Sequence, residues 1–151
     1  MKLLIENWRR FLFEQTVKYQ GILKLSLPPD VISEVQAMQD TLPKDAVPLE
    51  EDDLHVTLIH QSFLKPHKKE IKNMSFPQPP MISLDKKIWE REDLGKKSWA
   101  VKLSDENQIQ MRDYVQEVMK RLGSDNTDPE PERVFHVSLA NLTGNPHDSV
   151  R

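Results

Sequence analysis

HVTL at residues 55–58 and HVSL at residues 136–139 are the two stretches that decide how this chain folds. In both, a histidine and a hydroxyl residue alternate with valine and leucine. Side chains two residues apart in a β-strand point to the same side. Each stretch therefore predicts a strand with one polar face, which carries the histidine and the hydroxyl, and one apolar face turned to the core.

Each stretch closes one of two similar units. The first unit is a predicted strand over 22–27, a helix over 31–42 and a strand over 54–59. The second is a strand over 99–103, a helix over 105–122 and a strand over 134–139, and the first strand of both units contains Lys-Leu-Ser. The matching order and spacing predict a pseudo-twofold duplication of βαβ-like units. Such packing would bring the two polar faces to one groove.

The remaining segments predict simpler elements. Residues 19–27 predict one strand, 81–91 and 97–103 predict a hairpin, and 44–53, 65–80 and 124–132 predict loops. Ser104 is the expected N-cap of the long helix, and Gly123 is the residue expected to end it.

Apolar residues at helical spacing near the start predict an N-terminal amphipathic helix over 1–16, followed by a single domain of two lobes over 17–151. This helix belongs to neither repeat unit. We therefore expect that removal of residues 1–15 would leave the chemistry of the domain intact.

The composition is that of a globular domain, with 37% apolar and 30% charged residues. The net charge of −3 lacks the basic excess of a duplex-binding protein. The chain has no cysteine, which excludes disulfides and thiolate chemistry. It has no apolar run of the roughly 20 residues that span a bilayer and no signal-peptide core, so we expect no membrane partner.

Two imidazoles and two hydroxyls in one groove suit phosphoryl transfer. One imidazole can accept a proton from the nucleophile while the other protonates the leaving oxygen, and the hydroxyls can donate to phosphate oxygens. This chemistry needs neither a metal nor a cofactor. It predicts a bell-shaped pH dependence with both limbs around neutrality.

The motif pair resembles the two signature motifs of the two-histidine (2H) phosphoesterase superfamily, which includes 2′-5′ RNA ligase-like proteins and RNA cyclic phosphodiesterases. The resemblance covers about residues 19–141. It implies an α+β, bilobal fold with antiparallel sheets around a central cleft. It also implies that His55 and His136 are catalytic and that Thr57 and Ser138 bind phosphate. Ser138 stands where threonine is commoner, and it keeps the hydroxyl.

The resemblance implies a metal-independent phosphodiesterase acting on 2′,3′-cyclic phosphates or 2′-5′ linkages of nucleotides or short RNA in the cytoplasm, with RNA ligase activity as a related reaction. A phage enzyme that degrades cyclic di- or oligonucleotide immune signals in the host cytoplasm is the alternative. The opening residues 1–14 are similar to the starts of some tailed-phage proteins, and residues 12–14 resemble a capsid-targeting processing site. A non-catalytic nucleotide- or RNA-binding module and a phage structural protein remain as further alternatives.

Other side chains have two interpretations each. Basic residues could steer an anionic ligand but more often solvate a surface; these are Lys65, Lys68, Lys69 and Arg133. Aromatic residues could stack on a base but are more often part of the core; these are Tyr19, Trp89 and Trp99. The histidines outside the motifs lack the spacing of a zinc site and are expected to be structural or solvated; these are His60, His67 and His147.

Overall fold

The protein was analysed as a computed structural model, which describes residues 15–150. The predicted helix over 1–16 lies outside the described residues except for its last two positions, which are not helical. The strands are β1 (Val17–Gln20), β2 (Ile22–Ser26), β3 (Val47–Pro48), β4 (His55–Ile59), β5 (Leu84–Asp93), β6 (Lys96–Leu103) and β7 (His136–Asn141). The helices are α1 (Pro29–Gln39), α2 (Gln61–Leu64), α3 (Lys68–Lys72) and α4 (Asp105–Arg121), with single 3-10 turns at Glu51–Asp53, Lys65–His67 and Pro146–Asp148.

All seven strands belong to one antiparallel sheet, which confirms the predicted α+β class and the antiparallel pairing. The order across the sheet is β1-β2-β4-β7-β6-β5, and β3 pairs with the far end of β7. The two central strands, β4 and β7, pair at one register position, Val56 with Val137. The sheet is therefore continuous from β1 at one edge to β5 at the other.

One face of the sheet is covered by the two long helices. The apolar residues of the central strands and the buried faces of α1 and α4 form one core cluster, which includes Val56, Leu58, Val137, Leu139, Val35, Val115 and Val118. Burial of each such side chain contributes about 1.5–3 kcal/mol. Among residues 15–150, no helix has the length and apolar character needed to cross a bilayer.

The long helix and the second hairpin follow the sequence prediction. The Ser104 hydroxyl accepts a hydrogen bond from the Asn107 backbone N–H at 3.3 Å, and the helix ends before Gly123. The β5–β6 hairpin turns on Leu94 and Gly95, which both have positive φ. This combination is typical of the two-residue turns whose twist matches that of the paired strands.

Two predictions from local pattern are wrong. Residues 19–27 do not form one strand, because Gly21 has a φ of +79° and reverses the chain, so that Gln20 pairs with Ile22. The left-handed conformation is one that glycine adopts without steric cost. In addition, the segment 44–53, predicted to be a loop, contains β3 and the 3-10 turn Glu51–Asp53. The segment 65–80, predicted to be a loop with at most one helical turn, contains the 3-10 turn Lys65–His67 and α3.

Gln15 is buried and ties the start of the domain to the segment before β5. Its side-chain amide donates to the carbonyl of Pro80, and its side-chain oxygen accepts from the backbone N–H of Ile82 at 3.3 Å. A deletion of residues 1–15 would remove these bonds, whereas a deletion of residues 1–14 would keep them.

We predict that Gln15→Ala lowers the free energy of unfolding by about 1–3 kcal/mol, because two backbone groups lose their partner. Urea denaturation followed by circular dichroism measures this change. The matched control is Gln20→Ala, at an exposed position in β1. Equal stability of the two variants would show that Gln15 does not anchor the domain.

Candidate active site

The sheet face opposite the helices carries the predicted site residues. Val56 and Val137 are direct partners, so their neighbours in both strands project to the other face. The antiparallel register directs His55 toward Ser138 and Thr57 toward His136. All four side chains are half-buried. The structure thus brings the four predicted residues to one face at the centre of the sheet.

His55 is held by hydrogen bonds on both ring nitrogens. Its Nδ1 lies 2.9 Å from the carbonyl oxygen of Asp53, and its Nε2 lies 3.1 Å from the hydroxyl oxygen of Thr57. A carbonyl oxygen only accepts, so Nδ1 carries the proton and donates. In the neutral ring, Nε2 therefore has the lone pair and accepts from the Thr57 hydroxyl.

His136 is held in the same way. Its Nδ1 donates to the carbonyl oxygen of Val134 at 2.9 Å, again two residues before the histidine. Within residues 15–150, nothing is hydrogen-bonded to its Nε2. The shared backbone bond fixes the same tautomer in both rings and leaves each Nε2 as the reactive nitrogen.

Burial lowers the pKa of both imidazoles, because the charged form loses hydration. The pKa of His136 falls to about 4, with the positive charges of Arg133, Arg91 and His55 as further causes. The pKa of His55 is lowered from 6.5 in the same direction, with Lys24 contributing. Both rings are therefore neutral at pH 7 in the unliganded protein.

Arg133 is a largely buried residue that links the segment before β7 to β4 by a hydrogen bond, and it is not an exposed residue that steers ligands. Its side chain is 10% exposed, and its guanidinium donates to the carbonyl oxygen of Thr57 at 2.9 Å. It also contacts His60 at 3.1 Å and Glu130 at 3.5 Å, and His60 contacts Glu130 at 2.8 Å. His60 is thus structural, as predicted, and Arg133 braces β4 beside β7.

Three further side chains complete the face around His136. The Trp89 ring meets the His136 ring edge-on, with centroids 5.5 Å apart and an interplanar angle of 84°. Lys102 is the cross-strand partner of His136, and Lys24 is the partner of Thr57. From the sequence, Trp89 was expected to stack on a base or, as is more frequent for strand aromatics, to be part of the core, and Lys24 and Lys102 had no predicted role. The Lys-Leu-Ser repeat was the available signal.

The remaining predicted candidates lie outside this face or serve other purposes. Trp99 is fully buried, and Tyr19 packs against the core. Four other candidates are exposed in α3 or in 3-10 turns, namely Lys65, Lys68, Lys69 and His147, and His67 is half-buried in a 3-10 turn. In the part of the chain that the structure describes, no three histidine or acidic side chains converge as a metal site would require.

A separate cavity of about 350 Å³ lies at the start of the domain, away from the histidines. It is lined by Gln15, Thr16, Val17 and residues 76–79. Among residues 15–150, no charged or titratable side chain lines it, so this cavity offers no group for acid–base chemistry.

Comparisons of this chain with protein-family models, with curated proteins and with solved structures gave no match. The function of this chain is therefore inferred from its residues and their geometry.

We predict that Arg133→Gln raises the pKa of both His55 and His136, because it removes a buried positive charge that acts on both rings. NMR titration of the imidazole Cε1–H resonances measures the two values, with His55→Ala and His136→Ala used to assign the signals. Arg121→Gln, on the exposed side of α4, is the charge-matched control. Unchanged titration curves in Arg133→Gln would contradict this electrostatic role.

Proposed function

We propose that this chain is a metal-independent phosphodiesterase of the two-histidine phosphoesterase type, with His55 and His136 as the general acid and base. The observation that carries the proposal is the equivalent hydrogen bond of both Nδ1 atoms to the carbonyl two residues earlier. It orients both Nε2 atoms to one face for proton transfer. The next residue on that face is Thr57 after His55 and Ser138 after His136. Acid–base pairs in enzymes are oriented by such backbone bonds.

We further propose that the two halves of the sheet are a pseudo-twofold duplication around a shallow central cleft. The mirrored strand order β1-β2-β4 and β7-β6-β5, with a helix before each central strand, supports this proposal. The two Lys-Leu-Ser copies are not in equivalent register, since Lys24 faces Thr57 whereas Lys102 faces His136. The offset is even, so both lysines keep the same face as the histidines.

The proposed reaction places a phosphodiester between the two rings. One Nε2 removes the proton from water or from a ribose hydroxyl as its oxygen bonds to phosphorus, and the other Nε2–H protonates the oxygen that leaves. Thr57, Ser138 and Lys24 donate to the nonbridging oxygens, where negative charge accumulates. Because both rings are neutral in the free protein, the acid must gain its proton together with the anionic substrate, whose charge stabilises an imidazolium.

The proposed substrates are nucleotides or short RNA with a 2′,3′-cyclic phosphate or a 2′-5′ linkage. The proposed site of action is the cytoplasm, where such substrates occur. A cyclic di- or oligonucleotide fits the same acid, base and donors. A binding module without catalysis would not require two Nε2 atoms oriented to one face, with the His55 Nε2 accepting from the Thr57 hydroxyl and the His136 Nε2 without a hydrogen bond among residues 15–150.

We predict that His55→Ala and His136→Ala each reduce turnover by a factor on the order of 10²–10⁴, the usual contribution of one acid or base. The assay screens 2′,3′-cyclic mononucleotides, 2′-5′ oligonucleotides and cyclic dinucleotides, with a metal chelator present throughout. His147→Ala, at an exposed histidine, is the matched control and should keep full activity. The mechanism fails if either catalytic variant retains near-normal turnover, or if turnover requires an added metal.

We predict that the pH profile of kcat/KM lies below neutrality, because it reports the free protein, in which burial holds the pKa of His136 near 4 and lowers that of His55 below 6.5. The kcat profile should lie at higher pH, because bound phosphate raises the pKa of both rings. Initial rates between pH 4 and pH 9 with a verified substrate measure both profiles. Coincident profiles centred at pH 7 would contradict the desolvation argument.

A further inference from the structure

Each half of the proposed site contains one histidine, but the two halves differ in the positive charges around it. On the His136 side, the Trp89 ring has Lys102 Nζ at 4.5 Å and Arg91 Cζ at 4.4 Å from its centroid. On the His55 side, Ser26 occupies the cross-strand position, and its hydroxyl is engaged with Thr16 at 2.9 Å. The site is therefore asymmetric in its capacity to bind anions.

The register of the β5–β6 hairpin shows how the cations reach the ring. Trp89 pairs with Ala100, and Arg91, two residues further along β5, pairs with Ser98. Lys102 lies two residues from Ala100 in the opposite direction, so the register places the two cations on either side of the Trp89–Ala100 pair. Cation–π contacts of this kind hold long basic side chains in place. With two cations in contact with it, the Trp89 ring supports positive charge beside His136.

The charges on this face exceed what one phosphodiester needs. Lys24 lies beside the phosphate-binding Thr57 and can answer the single negative charge of the scissile group. In residues 15–150, neither Lys24 nor Lys102 forms an ion pair with a carboxylate. Arg91 is held by the carbonyl of Val150 at 3.3 Å, which fixes its guanidinium near the ring. A chain of net charge −3 thus concentrates cations beside its histidines.

We propose that Lys102, supported by Trp89 and Arg91, forms a second anion subsite beside His136, so that the preferred substrate carries another phosphate next to the one that is cleaved. This inference rests on the proposed function and narrows its substrate class. Dinucleotides and longer chains, cyclic or linear, have such a second phosphate. A nucleoside 2′,3′-cyclic monophosphate does not. Lys102 acts here as a specificity-determining residue.

The test compares two substrates that differ in one group, adenosine 2′,3′-cyclic phosphate and its 5′-phosphorylated form. The wild type should favour the second by about ten- to a hundredfold in kcat/KM, the effect of one charge-assisted hydrogen bond. Lys102→Gln should bring this ratio close to one through KM, with a smaller change on the unphosphorylated substrate. Lys102→Arg should keep most of the ratio, and Lys120→Gln, at an exposed position in α4, is the charge-matched control.

Trp89→Leu separates support of charge from stacking on a base. A supporting ring predicts that this variant loses the preference for the 5′-phosphorylated substrate, as Lys102→Gln does. Equal loss on both substrates in either variant, or no preference in the wild type, would overturn the subsite. Turnover of cyclic diadenylate against a linear dinucleotide that ends in a cyclic phosphate then shows which source supplies the second phosphate.

Binding measurements keep this inference distinct from the proposed function. Calorimetry with adenosine 3′,5′-bisphosphate and adenosine 3′-monophosphate requires no turnover. If the wild type binds the bisphosphate more tightly than the monophosphate and Lys102→Gln abolishes this difference, the subsite is supported. This holds even if no substrate is cleaved, because the absence of cleavage would refute only the phosphodiesterase activity. Equal binding of both nucleotides to the wild type would refute the subsite even if the catalytic histidines are verified.

Discussion

The single register position that joins Val56 to Val137 is the constraint on which the rest of the structure depends. It pairs β4 of the β1-β2-β4 half with β7 of the half formed by β7-β6-β5, which β3 also joins, and it sets which side chains share each face. A slip of one residue in either strand would exchange the histidines for core valines and leucines. The apolar layer under the helices and the polar face above it are therefore specified together. The position of the proposed chemistry follows from the packing of the core.

Burial of the histidine rings has opposing consequences. It accompanies the hydrogen bond that fixes each ring to a backbone carbonyl, an arrangement that favours directed proton transfer. It also disfavours the imidazolium, and the nearby buried cation of Arg133 adds to this effect. In the proposed function, an anionic substrate between the rings would offset both effects at once, because its charge stabilises an imidazolium.

The parts of the fold that depend on local chemistry could be predicted from the sequence. The period-two alternation in β4 and β7 predicted that the four candidate residues share one face, and Ser104 and Gly123 predicted the ends of α4, because these signals lie within a few neighbouring residues. Gly21 was missed because its turn has almost no loop: the strands begin on either side of it. Ile59 follows the parity of His55, yet it is buried opposite Leu23 beyond a register irregularity. Parity holds only while the ladder is regular.

The environment of the site could not be predicted in the same way, because it is made by contacts between distant segments. Lys24 and Lys102 were visible as a repeat, but only the cross-strand register assigns one to Thr57 and the other to His136. Trp89 has the spacing of an ordinary strand aromatic, and its contact with His136 crosses β6. In the proposed duplication the two histidines are equivalent, whereas the β5–β6 hairpin on one side adds Trp89 and Arg91, which the other side lacks. In the proposed function, substrate choice depends on that difference, since the equivalent groups would serve any phosphodiester equally.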